Sequence, residues 1–141
     1  SGDWWVALVT PAVRIETRAA RALLPEASGR ADWVQQMANT AALVHGLATG
    51  NRDLVRRALQ DGYAEPRRAA LIPRFAEVKQ AAISSGALGC SISGSGPTVF
   101  ALAEAPEAAR RCAGAMEAAF GGTAARAHVG RVSDEGAQER P

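Results

Sequence analysis

The residues best suited to chemistry lie in one short run, Ser91-Ile92-Ser93-Gly94-Ser95-Gly96-Pro97-Thr98. Two glycines flank a serine there, and glycine permits backbone dihedrals that let consecutive N–H groups point into one concavity. Such a concavity can hold an anion, with Ser and Thr hydroxyls beside it. The run therefore fits a phosphate-binding loop centred on Ser93, Gly94, Ser95 and Gly96, and it fits a plain hairpin turn equally well.

The other reactive residue types do not form a second site in the sequence. His45 and His128 have no carboxylate or cysteine at a metal-ligand or triad spacing, so we expect them to be packed or edge residues. Cys90 and Cys112 lack a CxxC spacing and lie in apolar segments, which predicts two buried free thiols and a reducing compartment. We assign no catalytic residue and no metal ligand within the chain.

Composition indicates a folded globular domain. The chain has 141 residues, of which 48% are hydrophobic and 21% charged, and its net charge is +2. Its arginines are scattered among acidic residues, so no nucleic-acid partner is expected, and no segment is apolar enough to span a membrane. We therefore expect a cytoplasmic protein with one domain over residues 1–132 and a polar, fraying tail over 133–141. Because the chain begins Ser1-Gly2 and enters a strand at once, we expect a segment of a longer protein or a short cloning remnant in front of one.

The elements that must position these residues alternate between strand and helix. Apolar, β-favouring runs predict four strands, at Trp4–Val9, Leu88–Ile92, Val99–Ala103 and Ala125–Val129. The short connection between the second and third strands forces these two to be antiparallel. We therefore predict an α+β sandwich in which a small antiparallel sheet is covered by helices on one face.

Caps and breakers predict where the helices begin and end. Thr17, Ser28 and Asn51 are expected N-caps, and Pro73 and Pro106 are expected first helical residues. The helix from about residue 30 to 48 carries an apolar stripe and further alanines around its circumference, so we expect it to be the central buried helix. The stripe consists of Trp33, Met37, Thr40, Val44 and Leu47.

The glycine-rich run carries a family resemblance. The sequence from Gly86 to Ala101 resembles the third conserved motif of GHMP kinases, in the form that homoserine kinases show. This family phosphorylates small alcohols and related metabolites with ATP and Mg²⁺, and the motif is a loop at its active site. The resemblance therefore implies that the run has a phosphate-facing role.

Residues 15–21 resemble a homoserine kinase segment in which a threonine and an arginine contact the amino acid. Thr17 and Arg21 stand at those places. Positions four apart share one helix face, and an arginine can hold a carboxylate through two hydrogen bonds. Without the resemblance, Thr17 fits a plain N-cap and Arg21 fits a solvated surface charge.

Residues 61–73 resemble a stretch that has the sequence His-Glu-Pro-Tyr-Arg in homoserine kinases. Aligning Glu65-Pro66 places Arg68 at the substrate-binding arginine, whereas Ala64 replaces the histidine and Arg67 is expected to be an exposed neighbour. The resemblance implies that Arg21 and Arg68 clamp the carboxylate of homoserine while the glycine-rich loop faces the phosphoryl group.

The resemblance implies the carboxy-terminal half of an ATP-dependent homoserine kinase of threonine biosynthesis, with the ferredoxin-like sandwich of that domain. The implied partners are L-homoserine, ATP and the protein's own N-terminal domain, which would hold the main ATP loop and Mg²⁺; a homodimer is a further expected assembly. We expect the isolated half to be inactive. Two alternatives remain open: another GHMP small-molecule kinase, and a noncatalytic α+β module that binds an amino acid or mediates dimerisation.

Overall fold

The computed structural model describes residues 3–136 and 139, and the last residues of the predicted tail lie outside this part. Its centre is a four-stranded sheet in the order β2-β3-β1-β4, with each neighbouring pair antiparallel. The strands are β1 (Trp5–Pro11), β2 (Gly89–Ile92), β3 (Val99–Ala103) and β4 (Ala125–Arg131). The predicted number, order along the chain and antiparallel pairing of the strands are confirmed.

The described part of the chain also contains six α-helices and one 3₁₀ turn. They are α1 (Thr17–Ala22), α2 (Arg30–Thr49), α3 (Arg52–Ala58), α4 (Ala64–Arg68), the 3₁₀ turn Ala69–Leu71, α5 (Phe75–Ser84) and α6 (Pro106–Ala119). None of the helices in this part of the chain has both the length and the apolar character needed to cross a membrane.

The main core lies between one face of the sheet and the pair α5 and α6. Side chains from alternating strand positions point to this face, because the side-chain period of a strand is two residues. The buried residues of this core include Ala7, Val9, Cys90, Val99 and Ala101 from the strands, and Phe75, Val78, Cys112, Met116 and Phe120 from the helical side. The predicted α+β sandwich is therefore correct, although α2 and α3 also approach the opposite face of the sheet.

A smaller core forms where α2 and α3 approach the opposite face. Leu102 alternates with the core residue Ala101 and so points away from the main core. It packs with Trp4, Val55 and Leu88, and with the partly buried Leu43, Leu47 and Leu59. The Trp4 indole also donates a hydrogen bond to the Leu47 carbonyl at 3.1 Å, which ties α2 to the start of the sheet.

The prediction that α2 is the central buried helix is wrong. Trp33, Met37 and Val44 of the predicted stripe are 60%, 61% and 63% exposed, and Gly46 is the one buried residue of this helix. An alanine-rich helix is apolar on several sides, so its sequence alone does not tell which side packs. Helix α3 packs closely against α2 at Gly46, where a Cβ would lie only 2.9 Å from Val55 Cγ2. This contact determines that the Gly46 side of α2 is the buried one.

The predicted caps are partly correct. Asn51 caps α3, with its side-chain oxygen accepting the Leu54 amide at 3.0 Å. Thr17 is the first residue of α1 and Glu16 its N-cap, while Gly29 takes the place predicted for Ser28. The α5 helix begins at Phe75 after Arg74, whose φ of 53° is left-handed, so Pro73 is not its first residue.

Both cysteines are buried free thiols, as predicted. Burial raises the pKa of the Cys90 thiol to about 12, and it also raises the pKa of Cys112. Neither thiol is therefore ionised near neutral pH.

Candidate functional site

The glycine-rich run forms a closed loop between β2 and β3. Ser93 donates its amide to the Thr98 carbonyl at 2.8 Å, and Gly96 donates to the Ser93 carbonyl at 3.1 Å. Gly94 and Gly96 have φ values of +62° and +82°, a region that suits glycine and strains other residues. The loop is therefore a hairpin connection whose conformation depends on its two glycines.

The tip of this loop offers two consecutive amide donors. Within residues 3–136 and 139, the Gly94 and Ser95 amides donate to no other group, whereas the Ser93 and Gly96 amides are used inside the loop. Successive free N–H groups next to a left-handed residue can form a concavity that binds anions. The loop can thus be a hairpin turn and an anion-binding element at once, and the two interpretations of the sequence are compatible.

Arg68 joins this loop to helix α1. Its Nε donates to the Ala20 carbonyl at 3.2 Å, and its Nη1 donates to the Gly94 carbonyl at 3.1 Å. A guanidinium has five N–H donors, so these two bonds leave three for a ligand. Arg68 therefore lies at the junction of α1, α4 and the loop, which are distant in sequence.

Thr17 also contacts the loop at this junction. Its hydroxyl is 3.4 Å from the Ser95 hydroxyl, a long hydrogen bond, and the Thr17 side chain is exposed. Because Glu16 holds the N-cap position, the Thr17 hydroxyl is not used to cap α1. It remains available to a polar ligand beside the loop.

Arg21 is on the last turn of α1, next to Ala20, whose carbonyl binds Arg68. Its side chain is exposed and has no bonding partner among the described residues. The structure thus brings Thr17, Arg68 and the loop into contact and leaves the Arg21 side chain free at their border.

Arg67 differs from its predicted role as an exposed neighbour. It is half-buried, its guanidinium lies 4.4 Å from the centre of the Tyr63 ring, and it donates to the Tyr63 carbonyl. This cation–π contact turns the side chain back onto its own segment. Arg67 and Arg68 are therefore adjacent in sequence but occupy different surroundings.

Hydrogen bonds with Asp61 and Pro25 hold the start of the short helix α4. Asp61 Oδ1 accepts the amides of Tyr63 at 2.8 Å and Ala64 at 2.7 Å, which starts α4. Tyr63 donates its hydroxyl to the Pro25 carbonyl at 3.1 Å. A helix of five residues is too short for a 3.6-residue pattern to be visible.

Glu65 was not assigned a role from the sequence, although it anchors the alignment of its segment. Its carboxylate forms an ion pair with Lys79 and accepts the Ser91 hydroxyl at 2.6 Å. The signal in the sequence for this pair was that Lys79 is the chain's single lysine.

A cavity of about 790 Å³ in the described part of the chain is lined by the Glu65–Lys79 pair, and Arg68 is not among its lining residues. Leu59, Glu65, Lys79 and Cys90 are among its lining residues. We place the candidate site at Arg68 and the loop, since two free amides and one guanidinium lie together there, whereas Glu65 and Lys79 of the cavity neutralise each other.

The side chains of the described residues do not form a magnesium site. No group of three or more His, Cys, Asp or Glu residues clusters within residues 3–136 and 139, and the Glu65 carboxylate near the loop is already occupied. The two histidines, His45 and His128, are exposed. The residues at the loop can therefore neutralise an anion but do not supply a metal ligand set.

Comparison with known proteins identifies the family. The family model described as "GHMP kinases C terminal" matches residues 43–122, which is more than half of the chain. The chain belongs to the GHMP kinase family. The matched residues include α4 with Arg68 and the whole glycine-rich loop, so the family resemblance of the loop is confirmed.

Curated relatives of this GHMP domain are homoserine kinases. The homoserine kinase of Chlorobium phaeobacteroides (strain BS1) is 46% identical over 113 residues, covering 80% of this chain and 35% of that protein. The homoserine kinase of Xanthomonas campestris pv. campestris (strain B100) is 46% identical over 119 residues, covering 84% and 37%. The chain spans about a third of the length of the curated relatives that it matches.

Solved structures agree with this relationship. The homoserine kinase of Cytophaga hutchinsonii superimposes with a TM-score of 0.89 at 39% identity, covering 92% of this chain and 42% of that one. The mevalonate kinase of Staphylococcus aureus superimposes with a TM-score of 0.56 at 13% identity, which shows a shared fold alone. The GHMP domain is thus much more similar to a homoserine kinase than to this second GHMP kinase.

Proposed function

We propose that this chain is the carboxy-terminal domain of an ATP-dependent homoserine kinase that forms O-phosphohomoserine for threonine biosynthesis. The observation that supports this most strongly is Arg68, whose guanidinium bridges α1 and the Gly94 carbonyl while keeping donors free. Arg68 thus connects the two segments that resemble homoserine-binding segments, residues 15–21 and 61–73. The homoserine kinase names of its relatives support the same substrate.

In this proposal the amino-acid carboxylate binds between Arg68 and Arg21. Arg68 is held in place by the Ala20 and Gly94 carbonyls, so little side-chain freedom is lost when a carboxylate arrives. Arg21 follows Ala20 on α1, and its unbound side chain is free to turn towards the carboxylate. The Thr17 hydroxyl adds a polar contact beside Ser95.

The loop faces the phosphoryl end of the reaction. The free Gly94 and Ser95 amides favour negative charge, and phosphoryl transfer depends mainly on positioning and charge neutralisation. Mg²⁺ neutralises phosphate charge when it is bound, and its ligands would come from outside this chain, as would the main ATP loop. The 141-residue chain alone is then expected to be inactive.

The partner that completes the enzyme would be the protein's own N-terminal domain. The exposed apolar face of α2, formed by Trp33, Met37 and Val44, suits coverage by the rest of a longer polypeptide, since relatives are about three times as long as the matched region. The two free thiols are consistent with the cytoplasm, where cysteines stay reduced. The alternative is that a second copy of the chain covers this face and forms a homodimer through α2.

The test is an ATP-dependent phosphorylation assay on the full-length protein with L-homoserine, L-serine, L-threonine and mevalonate as acceptors. We expect homoserine to have the highest kcat/KM among the four. A higher kcat/KM for mevalonate would assign the protein to another GHMP kinase. Homoserine binding without any turnover would favour the noncatalytic amino-acid-binding module.

A further inference from the structure

Glu65 connects three elements beneath the candidate site. Its side chain is only 12% exposed. One carboxylate oxygen pairs with Lys79 of α5, and the other accepts the Ser91 hydroxyl of β2 at 2.6 Å. A single carboxylate on α4 is therefore attached to a helix and to a strand at the same time.

Glu65 and Arg68 attach the same short helix to neighbouring residues of β2 and of the loop. The two residues are three apart on α4, so they lie on neighbouring positions of one helical turn. Ser91 lies two residues before the loop begins, and Arg68 binds the Gly94 carbonyl inside the loop. The short helix is thus tied to β2 through Glu65 and to the loop that follows β2 through Arg68.

Helix α4 needs such attachments to hold a fixed position. It has five residues, far fewer than an independently stable helix, and it contains no fully buried residue. A nearly buried carboxylate is costly unless it is paired and hydrogen-bonded, and Lys79 and Ser91 meet both requirements. The polar cluster therefore fixes α4 where apolar packing does not.

We propose that Glu65 is a positioning residue for substrate binding, because its bonds to Ser91 and Lys79 set the distance between Arg68 and the glycine-rich loop. This inference rests on the proposed function and deepens it. Glu65 itself does not touch the substrate; it acts through Arg68. Removing its charge lets α4 move relative to β2, so Arg68 meets the amino-acid carboxylate in fewer molecules.

A double-mutant cycle in the full-length protein tests this coupling. Glu65→Gln keeps the size of the side chain and loses the ion pair, and we expect it to raise the homoserine KM about tenfold with little change in kcat. In an Arg68→Ala background the same substitution should raise KM no further, because Glu65 acts through the missing guanidinium. Losses that multiply in the double variant would overturn the proposal.

Two further variants separate positioning from general stability. Ser91→Ala removes one hydroxyl and leaves the ion pair, so a smaller rise in KM is expected, again absent in the Arg68→Ala background. Glu104→Gln is the matched control: it breaks the 3.2 Å ion pair with Arg52 at the end of β3 away from the loop, and KM should not change. An equal rise in KM for Glu104→Gln would contradict a specific role for Glu65.

A structural readout keeps this test independent of the reaction. In full-length protein labelled with ¹⁵N-arginine, solvent exchange of the Arg68 Nε–H reports its bond to the Ala20 carbonyl. Glu65→Gln should speed this exchange at least about tenfold, and Glu104→Gln should not. Unchanged exchange in Glu65→Gln overturns the inference even if homoserine is the substrate, whereas faster exchange without homoserine turnover supports the positioning role and rejects the proposed function.

Discussion

At the scale of single residues, Arg68 holds α1 and the loop together, and in the proposed site it also provides donors for a ligand. Its bonds to the Ala20 and Gly94 carbonyls connect α1 to the loop. Because both acceptors are neutral carbonyls, the positive charge of the guanidinium is not cancelled and remains available to an anion. The adjacent Arg67, stacked on Tyr63, has no such connection and provides a natural comparison.

Arg68→Ala in the full-length protein should raise the homoserine KM about 10- to 100-fold, since charge-assisted hydrogen bonds to the carboxylate are lost. Steady-state kinetics at saturating ATP measures this change. Arg67→Ala is the control variant, and its KM should stay within about threefold of the wild type. Similar KM values for Arg68→Ala and the wild type would remove Arg68 from the substrate site.

At the scale of elements, the loop depends on how closely its glycines approach their neighbours. A Cβ on Gly96 would lie 3.2 Å from Ile72 Cδ1 and 3.3 Å from Ile15 Cδ1, and the residue also has a positive φ. Gly94 has a positive φ too, but a Cβ there would meet nothing within 4 Å. Substituting each glycine in turn therefore distinguishes backbone strain, which both positions share, from side-chain crowding, which only Gly96 has.

Gly96→Ala should lower the free energy of unfolding by about 2–3 kcal/mol, and Gly94→Ala by about 1 kcal/mol, because only the first adds crowding to the strained backbone. Gly114→Ala, in the interior of α6 with open space around it, should raise it by about 0.5–1 kcal/mol. Urea unfolding followed by circular dichroism measures all three. An equal loss of unfolding free energy in Gly94→Ala and Gly96→Ala would show that the Ile15 and Ile72 side chains move aside at no energetic cost.

The sequence predicts elements well where periodicity or turn chemistry is local. The four strands, the Asn51 cap and the helix opened by Pro106 follow from such local signals. The side on which α2 packs does not follow from local signals. Its alanines are compatible with several sides, and the contact between Gly46 and Val55 determines which side is buried. The ion pair between Glu65 and Lys79 is also set by tertiary contacts alone, since 14 residues separate its members.

For the site itself, the family resemblance and the fold contribute different parts. The resemblance selected Thr17, Arg21, Arg68 and the loop, and the fold brings all but the Arg21 side chain into direct contact. The free amides at Gly94 and Ser95 could not be predicted individually, because which amides the loop uses internally depends on its exact turn.

At the scale of the whole molecule, α2 presents an apolar face that the described part of the chain leaves uncovered. Trp33, Met37 and Val44 are each more than half exposed along one helix. Exposed apolar patches of this kind usually mark an interface. In the proposed enzyme the remaining polypeptide covers this face.

Thiol labelling measures that coverage. A cysteine at Met37→Cys should react with a maleimide freely in the 141-residue chain and at least about tenfold more slowly in the full-length protein. The buried Cys90 and Cys112 should stay unreactive, since their thiols remain protonated and inaccessible. Glu117→Cys, on the exposed side of α6, is the control with equal rates in both proteins.

Protection of Met37→Cys that grows with protein concentration would indicate a homodimer instead of coverage by the same polypeptide. Equal labelling in both proteins at every concentration would show that α2 faces solvent in the complete enzyme.

The most direct measurement compares L-homoserine with its carboxamide as phosphoryl acceptors for the full-length protein. If Arg68 and Arg21 bind the carboxylate, the wild type should prefer homoserine by about 100-fold or more in kcat/KM, and Arg68→Ala should lose most of that preference. If Arg68→Ala lowers kcat/KM for both acceptors by the same factor, the guanidinium does not recognise the carboxylate and the proposed site is contradicted.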